Sequence, residues 1–156
     1  MSLSRLLFAA ALMALPTVAT AQTSDANVTY LRSDQVKAAF AKGVPMIEVG
    51  DYKIHASRRE GPGMVEVHTR DTDIAYVLQG TATLVTGGSA VGLKAIGPEE
   101  FRGTDIKGGE TRELGVGDVI VIPNGIPHWF KRVDAPFLYY VVKVRQAERQ
   151  TTAGAM

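Results

Sequence analysis

Residues 117–128 read GDVIVIPNGIPH, and this stretch decides how the rest of the chain is interpreted. Gly117 and Asp118 predict a turn, Val119–Ile122 predict a short strand, and the Pro-Asn-Gly sequence after them predicts a second tight turn. His128 then begins another predicted strand. The stretch therefore predicts a histidine held at a fixed place beside a sheet.

Short segments rich in Val, Ile, Thr, Tyr and Phe continue on both sides of this stretch and alternate with glycine-containing turns. Such a pattern is typical of a β-sandwich or barrel. We expect strands at residues 46–49, 52–57, 64–69, 74–78, 82–86, 111–114, 119–122, 128–133 and 137–144. A turn is expected at residues 79–80, and the glycine-rich residues 89–109 are predicted to form one long irregular loop.

The 156 residues divide into four predicted segments. Residues 1–21 combine one positive charge, an apolar run and an Ala-Thr-Ala ending, which together predict a cleaved signal peptide. Residues 22–44 are predicted to form a lead-in and a short amphipathic helix, with Ser33 as its N-cap and Gly43 at its end. The barrel is expected at residues 45–145, followed by a flexible tail at 146–156.

Export follows from that first segment, so we expect a periplasmic or secreted protein. The apolar run is shorter than the ~20 residues needed to span a bilayer. No stable membrane insertion is therefore expected after cleavage, and the alternative is an uncleaved membrane anchor.

The charge balance and the lack of cysteine exclude several classes of site. The chain has 17 Lys and Arg against 16 Asp and Glu, and cleavage would also remove Arg5. A neutral chain argues against a nucleic-acid partner or binding to anionic membranes through bulk charge. Because the chain has no cysteine, it has no disulfide, no thiolate metal site and no cysteine nucleophile. A small-molecule ligand or substrate stays open.

A set of metal-ligating side chains surrounds His128 in this interpretation. Glu66 and His68 lie two residues apart on a predicted strand, so both side chains point to one face. Asp73 follows after a short connection, and we expect its strand to pair with the strand of His68. Two imidazoles and one or two carboxylates suit a divalent Fe, Mn, Ni or Zn ion.

These residues resemble the two sequence motifs of the cupins. The first motif, G-x5-H-x-H-x(3,4)-E-x6-G, is matched by Glu66-x-His68-x4-Asp73-x6-Gly80, with a glutamate for the first histidine and an aspartate for the glutamate. The second, G-x5-P-x-G-x2-H-x3-N, is matched by Gly117-x5-Pro123-x-Gly125-x2-His128-x3-Arg132, with an arginine for the asparagine. The resemblance covers about residues 45–144.

The resemblance implies an all-β protein, an antiparallel double-stranded β-helix or jelly-roll-like barrel, with a metal ion in its mouth. The ligand roles of the family fall on Glu66, His68, Asp73 and His128, and the carboxylates Glu66 and Asp73 are the catalytic candidates. Asp73 is shorter than the usual glutamate, so it either binds the ion or orients His68 or a bound water. A homodimer is also expected, with Tyr139-Tyr140-Val141-Val142 as a candidate edge or interface strand.

Phe130 and Arg132 alternate in phase with His128 and are predicted to line a substrate pocket; the alternative for Arg132 is a strand-end arginine that reaches to solvent. Arg58-Arg59-Glu60 is predicted to be a solvated turn, and residues 101–104 could cover the barrel. The leading hypothesis is a metal-dependent enzyme acting on a small organic molecule, with oxygenase, isomerase and lyase chemistry all open. The alternative is a cupin that binds a small molecule or metal without catalysis.

Overall fold

A computed structural model describes residues 28–147, and Leu31 and all described residues after it belong to one compact unit. The predicted signal peptide and most of the predicted tail lie outside the described residues. No helix in residues 28–147 is long and apolar enough to cross a membrane. The elements, in chain order, are α1 (Ser33–Lys42), β1 (Pro45–Glu48), β2 (Tyr52–Arg59), β3 (Val65–His68), β4 (Asp71–Thr86), β5 (Ser89–Val91), β6 (Lys94–Ala95), β7 (Glu100–Gly103), β8 (Asp105–Lys107), β9 (Glu110–Leu114), β10 (Val119–Ile122) and β11 (His128–Arg145).

The helix α1 lies where the sequence predicted it, and only its first residue differs. Arg32 rather than Ser33 is the N-cap, and its backbone N–H donates to the side-chain oxygen of Gln35 at 2.9 Å. Gly43 ends the helix in the left-handed conformation, with φ 65°. Such a helix end strongly favours glycine, which carries no Cβ to clash.

Two long antiparallel strands, β4 and β11, form the centre of the main sheet. The edge of β11 that faces away from β4 pairs with β2 and, through His128, with β3. On its other side β4 pairs with β9 along one half and β10 along the other. The predicted antiparallel all-β fold with one short helix is therefore confirmed.

The turn predicted at residues 79–80 is wrong, because β4 runs through it as one strand. Gly80 bends the strand with φ 78°, and a Cβ there would lie 2.8 Å from the carbonyl oxygen of Asp134. Opposite this point β11 has its own register shifts between Asp134 and Leu138. The glycine and the irregularity allow both strands to bend together, so each contributes to both ends of the barrel.

The long loop predicted at residues 89–109 is also wrong, since it contains the four short strands β5–β8. β5 pairs with β8 as a separate two-stranded sheet, while β7 pairs with β3 on one side and β6 on the other. Residues 101–104, considered as a cover for the barrel, instead lie largely within β7. Arg102 is thereby placed directly opposite Glu66 in the sheet.

The larger hydrophobic core fills the barrel and borders the polar cavity described below. Its fully buried members include Phe137, Leu84 and Val77, and the rings of Phe130 and Tyr139 pack against Phe137. A smaller cluster of Val65, Val85 and Ile106 lies under the two-stranded sheet, with the Trp129 ring against it. The two clusters hold β3, β4 and β11 in fixed relative positions.

The segment Tyr139–Val142 is not a sheet edge, because β11 pairs with β2 and β4 on its two sides. Tyr139 and Val141 are buried and point inward, while Tyr140 and Val142 are half-buried on the outer face. The edge alternative is therefore excluded for this segment. Its outward side chains belong to a sheet face, which leaves the interface alternative open.

Candidate metal centre

A cavity of about 310 Å³ lies inside the barrel, among alternate residues of six strands. Successive side chains of a strand point to opposite faces, so each strand contributes every second residue. The polar side chains of its wall come from β2, β3, β4, β7 and β11, and its apolar surface includes Ala75, Ile122, Phe130 and Val141. The charged and titratable members are His55, Arg59, Glu66, His68, Asp73, Glu100, Arg102, His128, Tyr139 and Lys143.

Glu66, His68 and His128 form the centre of this cavity. Glu66 and His68 lie on the same face of β3, as predicted, and His128 is directly opposite Glu66 in the adjacent strand. One ligating atom from each of the three lies within 4.8 Å of the other two. The sequence therefore correctly predicted that these three side chains meet, and the register of β3 and β11 is the cause.

The turn after β10 holds the two histidine-bearing segments together. The backbone N–H of Gly125 donates to the carbonyl oxygen of His68 at 2.7 Å. The Asn124 side-chain amide donates to the carbonyl oxygen of Thr69 at 3.0 Å. The Pro-Asn-Gly turn thus positions His128 along the chain and His68 through space.

His128 has a defined tautomer. Its Nδ1 lies 3.1 Å from the carbonyl oxygen of Ile126, which can only accept, so Nδ1 carries the proton. Nε2 is left with a free lone pair beside Glu66 and Asp73. Burial lowers the pKa of His128 against the opposing effect of the Asp73 and Glu66 charges. A neutral imidazole with a free Nε2 is the form that binds metal ions.

His68 is the unsatisfied member of the centre. Its side chain is 4% exposed, and neither ring nitrogen has a hydrogen-bond partner among the described residues. Leaving a buried polar group unpaired costs about 1–3 kcal/mol. Nε2 lies 3.5 Å from Glu66 and 3.6 Å from Asp73, too far for good hydrogen bonds but suitably placed around a shared ion.

Glu66 is held in the ionised form. Burial alone would raise its pKa, but the neighbouring His68 and the positive charges of Arg59 and Arg102 outweigh burial and lower the pKa well below its usual range. The Arg59 guanidinium donates to Glu66 at 2.9 Å and to the Tyr139 hydroxyl at 3.0 Å. A metal ligand must be deprotonated, and Glu66 meets that condition.

Asp73 approaches both histidines, but by a route that differs from the predicted one. In the described residues β3 and β4 do not pair, and Asp73 enters the cavity because the barrel closes through β11. Its Oδ2 lies 3.6 Å from Nε2 of His68 and 3.9 Å from Nε2 of His128. Both carboxylate oxygens also accept hydrogen bonds from Lys143 at 2.7 Å.

These separations fit a common ion. Two atoms that each lie about 2.1 Å from one metal ion are at most about 4.2 Å apart. The distances from the two Nε2 atoms to the nearest carboxylate oxygens of Glu66 and Asp73 range from 3.5 to 3.9 Å. Together with the unpaired nitrogens of His68, they make the donor set suited to a divalent first-row metal.

The two residues predicted to line a substrate pocket have different positions. Phe130 is buried in the cavity wall, where the Arg59 guanidinium lies 4.4 Å from its ring centroid. Arg132 is exposed, and its predicted inward direction is wrong. The register shifts between Phe130 and Arg132, so Lys131 is an extra residue that reverses the alternation.

Several cavity residues were missed by the sequence interpretation. Arg59 is not in a solvated turn but at the end of β2, with 18% of its side chain exposed. Its neighbours at alternate positions, His55 and Ser57, line the same cavity. The alternation of side chains along β2 could have shown that residues 55, 57 and 59 share one face. Lys143 is likewise in phase with Tyr139 on β11.

Comparisons with known proteins agree with this fold. The family model described as Cupin matches residues 22–155. A comparison with curated proteins gives no match. The relatives reported next are solved structures.

Three solved structures illustrate the likeness. Peruvianin-I, a cysteine peptidase from Thevetia peruviana latex, is 14% identical, with 62% of this chain and 52% of that chain covered and a TM-score of 0.39. Hydroquinone 1,2-dioxygenase from Sphingomonas sp. TTNP3, with 4-hydroxybenzoate bound, is 15% identical over 67% of this chain and 66% of that chain, with a TM-score of 0.47. Hydroquinone 1,2-dioxygenase PnpCD, in complex with Cd²⁺ and 4-hydroxybenzonitrile, is 13% identical over 78% and 82%, also at 0.47.

The match spans only part of the first two of these relatives, about half of one and two thirds of the other. The family model, by contrast, extends over nearly the whole chain, including β3, β10 and β11. The chain therefore belongs to the cupin family.

Proposed function

We propose that this cupin binds a divalent metal ion through Glu66, His68 and His128 and acts as an enzyme on a small organic molecule. The observation that carries the proposal is the buried His68 imidazole, which has no hydrogen-bond partner among the described residues. Its Nε2 faces an ionised carboxylate and lies beside a second imidazole. A cation between them would offset the cost of burying that nitrogen unpaired.

Fe, Mn, Ni and Zn all suit two imidazoles with one or two carboxylates. When bound, such an ion supplies Lewis acidity toward a substrate oxygen or, as iron, the capacity to activate dioxygen. The chain itself supplies neutral His128, ionised Glu66 and the cavity around them. Oxygenase, isomerase and lyase reactions all remain compatible with this arrangement.

Asp73 is the candidate for a fourth ligand or for proton transfer. Its Oδ2 is close to both histidines, while Lys143 donates to both of its oxygens. A carboxylate so paired can pass a proton between the cavity and the Lys143 ammonium, or it can remain a fixed anion beside the ion. Asp73→Asn removes both the charge and the base, so its metal content and its turnover are measured together. Loss of metal indicates a ligand, and loss of turnover at full metal content indicates proton transfer.

Metal content tests the proposal directly. The mature domain, purified without chelators, should contain about one equivalent of metal by elemental analysis, and His68→Ala and His128→Ala should each lose it. His55→Ala is the matched control, because His55 lines the same cavity outside the cluster of three ligands. Wild-type protein without stoichiometric metal, or histidine variants that retain it, would refute the metal site.

Turnover is tested on the metal-loaded protein. Oxygen consumption with phenols and diketones examines the oxygenase alternative, and proton NMR of the same mixtures detects isomerisation or elimination. Each assay is run beside the His68→Ala variant. Activity that is absent from the variant supports an enzyme, while full metal content without any reaction favours the second function below.

One observation favours a binding protein without catalysis. Both carboxylates that could move a proton are already paired, Glu66 with Arg59 and Asp73 with Lys143. The positive charge of Arg59 helps to lower the pKa of Glu66 and so makes it a poorer base, and Asp73 would have to give up hydrogen bonds from Lys143 to accept a proton. In this version the cavity captures a small molecule at the metal and releases it unchanged.

Export and pairing complete the proposal. The signal-like sequence of residues 1–21 supports a periplasmic or secreted protein.

An apolar outer face formed by β4 and β10 supports a homodimer. Its exposed residues are Ile74, Tyr76, Leu78, Val119 and Val121, and β10 has one edge unpaired among residues 28–147.

Light scattering tests the homodimer. Val121→Lys introduces a charge within this face and is expected to convert a dimer to a monomer. Ile96→Lys is the control, because Ile96 is similarly exposed but lies between β6 and β7. A wild-type protein that is monomeric at all concentrations tested would contradict the pairing.

A further inference from the structure

The charges of the cavity balance only while no metal ion is bound. Its wall contains three cationic side chains, Arg59, Arg102 and Lys143, and three carboxylates, Glu66, Asp73 and Glu100. The histidines add no charge when they are neutral. A divalent ion in the centre therefore leaves an excess of two positive charges, and an anionic ligand would reduce it.

Two of the three cations are already occupied by close partners. Arg59 donates to Glu66 and to the Tyr139 hydroxyl, and its guanidinium stacks against the Phe130 ring. Lys143 is 2.7 Å from both oxygens of Asp73. Each of these two cations therefore already has a carboxylate at hydrogen-bond distance that offsets its charge.

Arg102 is the cation with spare capacity. Its nearest carboxylate atoms, on Glu66 and Glu100, are 3.7 and 3.8 Å away, beyond good hydrogen-bond distance. Within residues 28–147 its side chain donates one hydrogen bond, to the carbonyl oxygen of Phe101 at 3.3 Å. Its side chain is 23% exposed, so it faces both the cavity and the solvent.

The chemistry of a guanidinium selects the ligand. A planar guanidinium has several N–H donors in a fixed fork, which matches the two oxygens of a carboxylate. The cavity volume of about 310 Å³ is at the lower end of the range of ~300–1,000 Å³ for ligand sites. Beside the charged groups, Ile122, Phe130 and Val141 provide a small apolar surface for the body of a ligand.

We propose that Arg102 binds the carboxylate of a small organic acid and that such acids are the substrate or ligand class of this centre. The inference rests on the proposed metal-binding function, because the excess positive charge arises from the ion. Arg102 thereby acts as a specificity-determining residue at the mouth of the cavity. Arg102 in β7 lies opposite Glu66 in β3, so a bound acid would lie next to the proposed metal ligands.

Calorimetric titration of the metal-loaded protein with acetate, malonate and benzoate tests this assignment. Acetamide, malonamide and benzamide serve as neutral counterparts of similar shape. At least one acid should bind at least tenfold more tightly than its amide. Arg102→Leu should weaken the binding of that acid by about 10- to 100-fold, the loss expected for a charge-assisted hydrogen bond. It should have little effect on the binding of the amide. Arg102→Lys should recover part of the loss.

Arg132→Leu is the matched control, because it removes the same charge from an exposed position on β11. It should leave acid binding unchanged, and elemental analysis should show full metal content in every variant. Equal affinity for acids and amides, or acid binding unchanged by Arg102→Leu, would overturn the inference while leaving the metal site intact. Tighter binding of inorganic phosphate than of every carboxylate would also overturn it. A wild-type protein that binds no metal would instead refute the proposed function.

Discussion

The two histidine segments of the centre, residues 64–73 and 117–128, are held in different ways. In the second, backbone and side-chain hydrogen bonds of the Pro-Asn-Gly turn fix both the chain and the His128 tautomer. In the first, Glu66 is surrounded by cations while His68 has no hydrogen-bond partner in the described part of the chain. The polar groups of the second segment thus have protein partners, whereas both ring nitrogens of His68 have none in residues 28–147 and would gain one from the proposed cation.

The largest difference between the segments is the buried charge of the first. Glu66→Gln leaves Arg59 without its carboxylate, and breaking such a pair costs about 3 kcal/mol. We expect a loss of this order in the free energy of unfolding of the metal-free protein, measured by urea denaturation. Glu60→Gln is the control, since the exposed pair of Glu60 with Arg58 should contribute less than about 1 kcal/mol. Equal losses of unfolding free energy in the two variants would contradict the expected difference between the buried and the exposed ion pair.

A smaller difference in stability is expected between variants of the two histidines. In the metal-free protein, His128→Leu loses a hydrogen bond to Ile126 and should destabilise by about 1 kcal/mol. His68→Leu removes a polar group that has no partner, so it should be neutral or stabilising. Both variants should lose metal. Thermal unfolding in the presence of a chelator gives the ranking, and a more destabilising His68→Leu would reverse the interpretation.

The contact between the segments can be weakened without changing either histidine. Asn124→Ala removes the amide that donates to Thr69 and leaves the backbone bond from Gly125 to His68 in place. We expect a loss of about 1 kcal/mol in stability and weaker metal binding, because His68 is less firmly positioned. Metal affinity is measured by competition with a coloured chelator. Unchanged affinity would show that the backbone bond alone positions His68.

The smallest expected effect is a pH dependence. Burial lowers the pKa of His128 in the folded protein, so the unfolded chain takes up its proton first, near pH ~6.5. The free energy of unfolding should therefore fall as the pH is lowered below about 6.5, and His128→Leu should reduce the slope. His55, whose pKa is lowered by burial and by Lys143, contributes in the same window. A slope that His128→Leu leaves unchanged would contradict this assignment.

The sequence predicted the second segment better than the first, and the reason is physical. A turn, a strand and a turn specify their own geometry locally, so β10 was predicted with the bounds that the structure has. The approach of Asp73 depends on how the barrel closes, which no local pattern contains. The cations were missed for a related reason, since Arg59 lies beside Glu66 only when β2 and β3 belong to the same cavity wall.

Two further errors show where alternation stops being informative. One extra residue, Lys131, reverses the direction of Arg132, and a bulge of this kind leaves no signal in a pattern of residue types. Strands β5–β8 have two to four residues each, too few to show a period. Their glycines suggested a loop, but β5 pairs with β8, β6 pairs with β7, and β7 also pairs with β3.

The continuity of β11 has a consequence for how this chain can change over evolutionary time. One unbroken strand contributes His128 and Phe130 near its start and Tyr139 and Lys143 near its end. Unless a bulge absorbs the change, as at Lys131, inserting or deleting a single residue between them would turn one set away from the cavity while the other stayed. We therefore expect length variation among relatives to collect in the turns of residues 87–109, and hardly ever inside this strand.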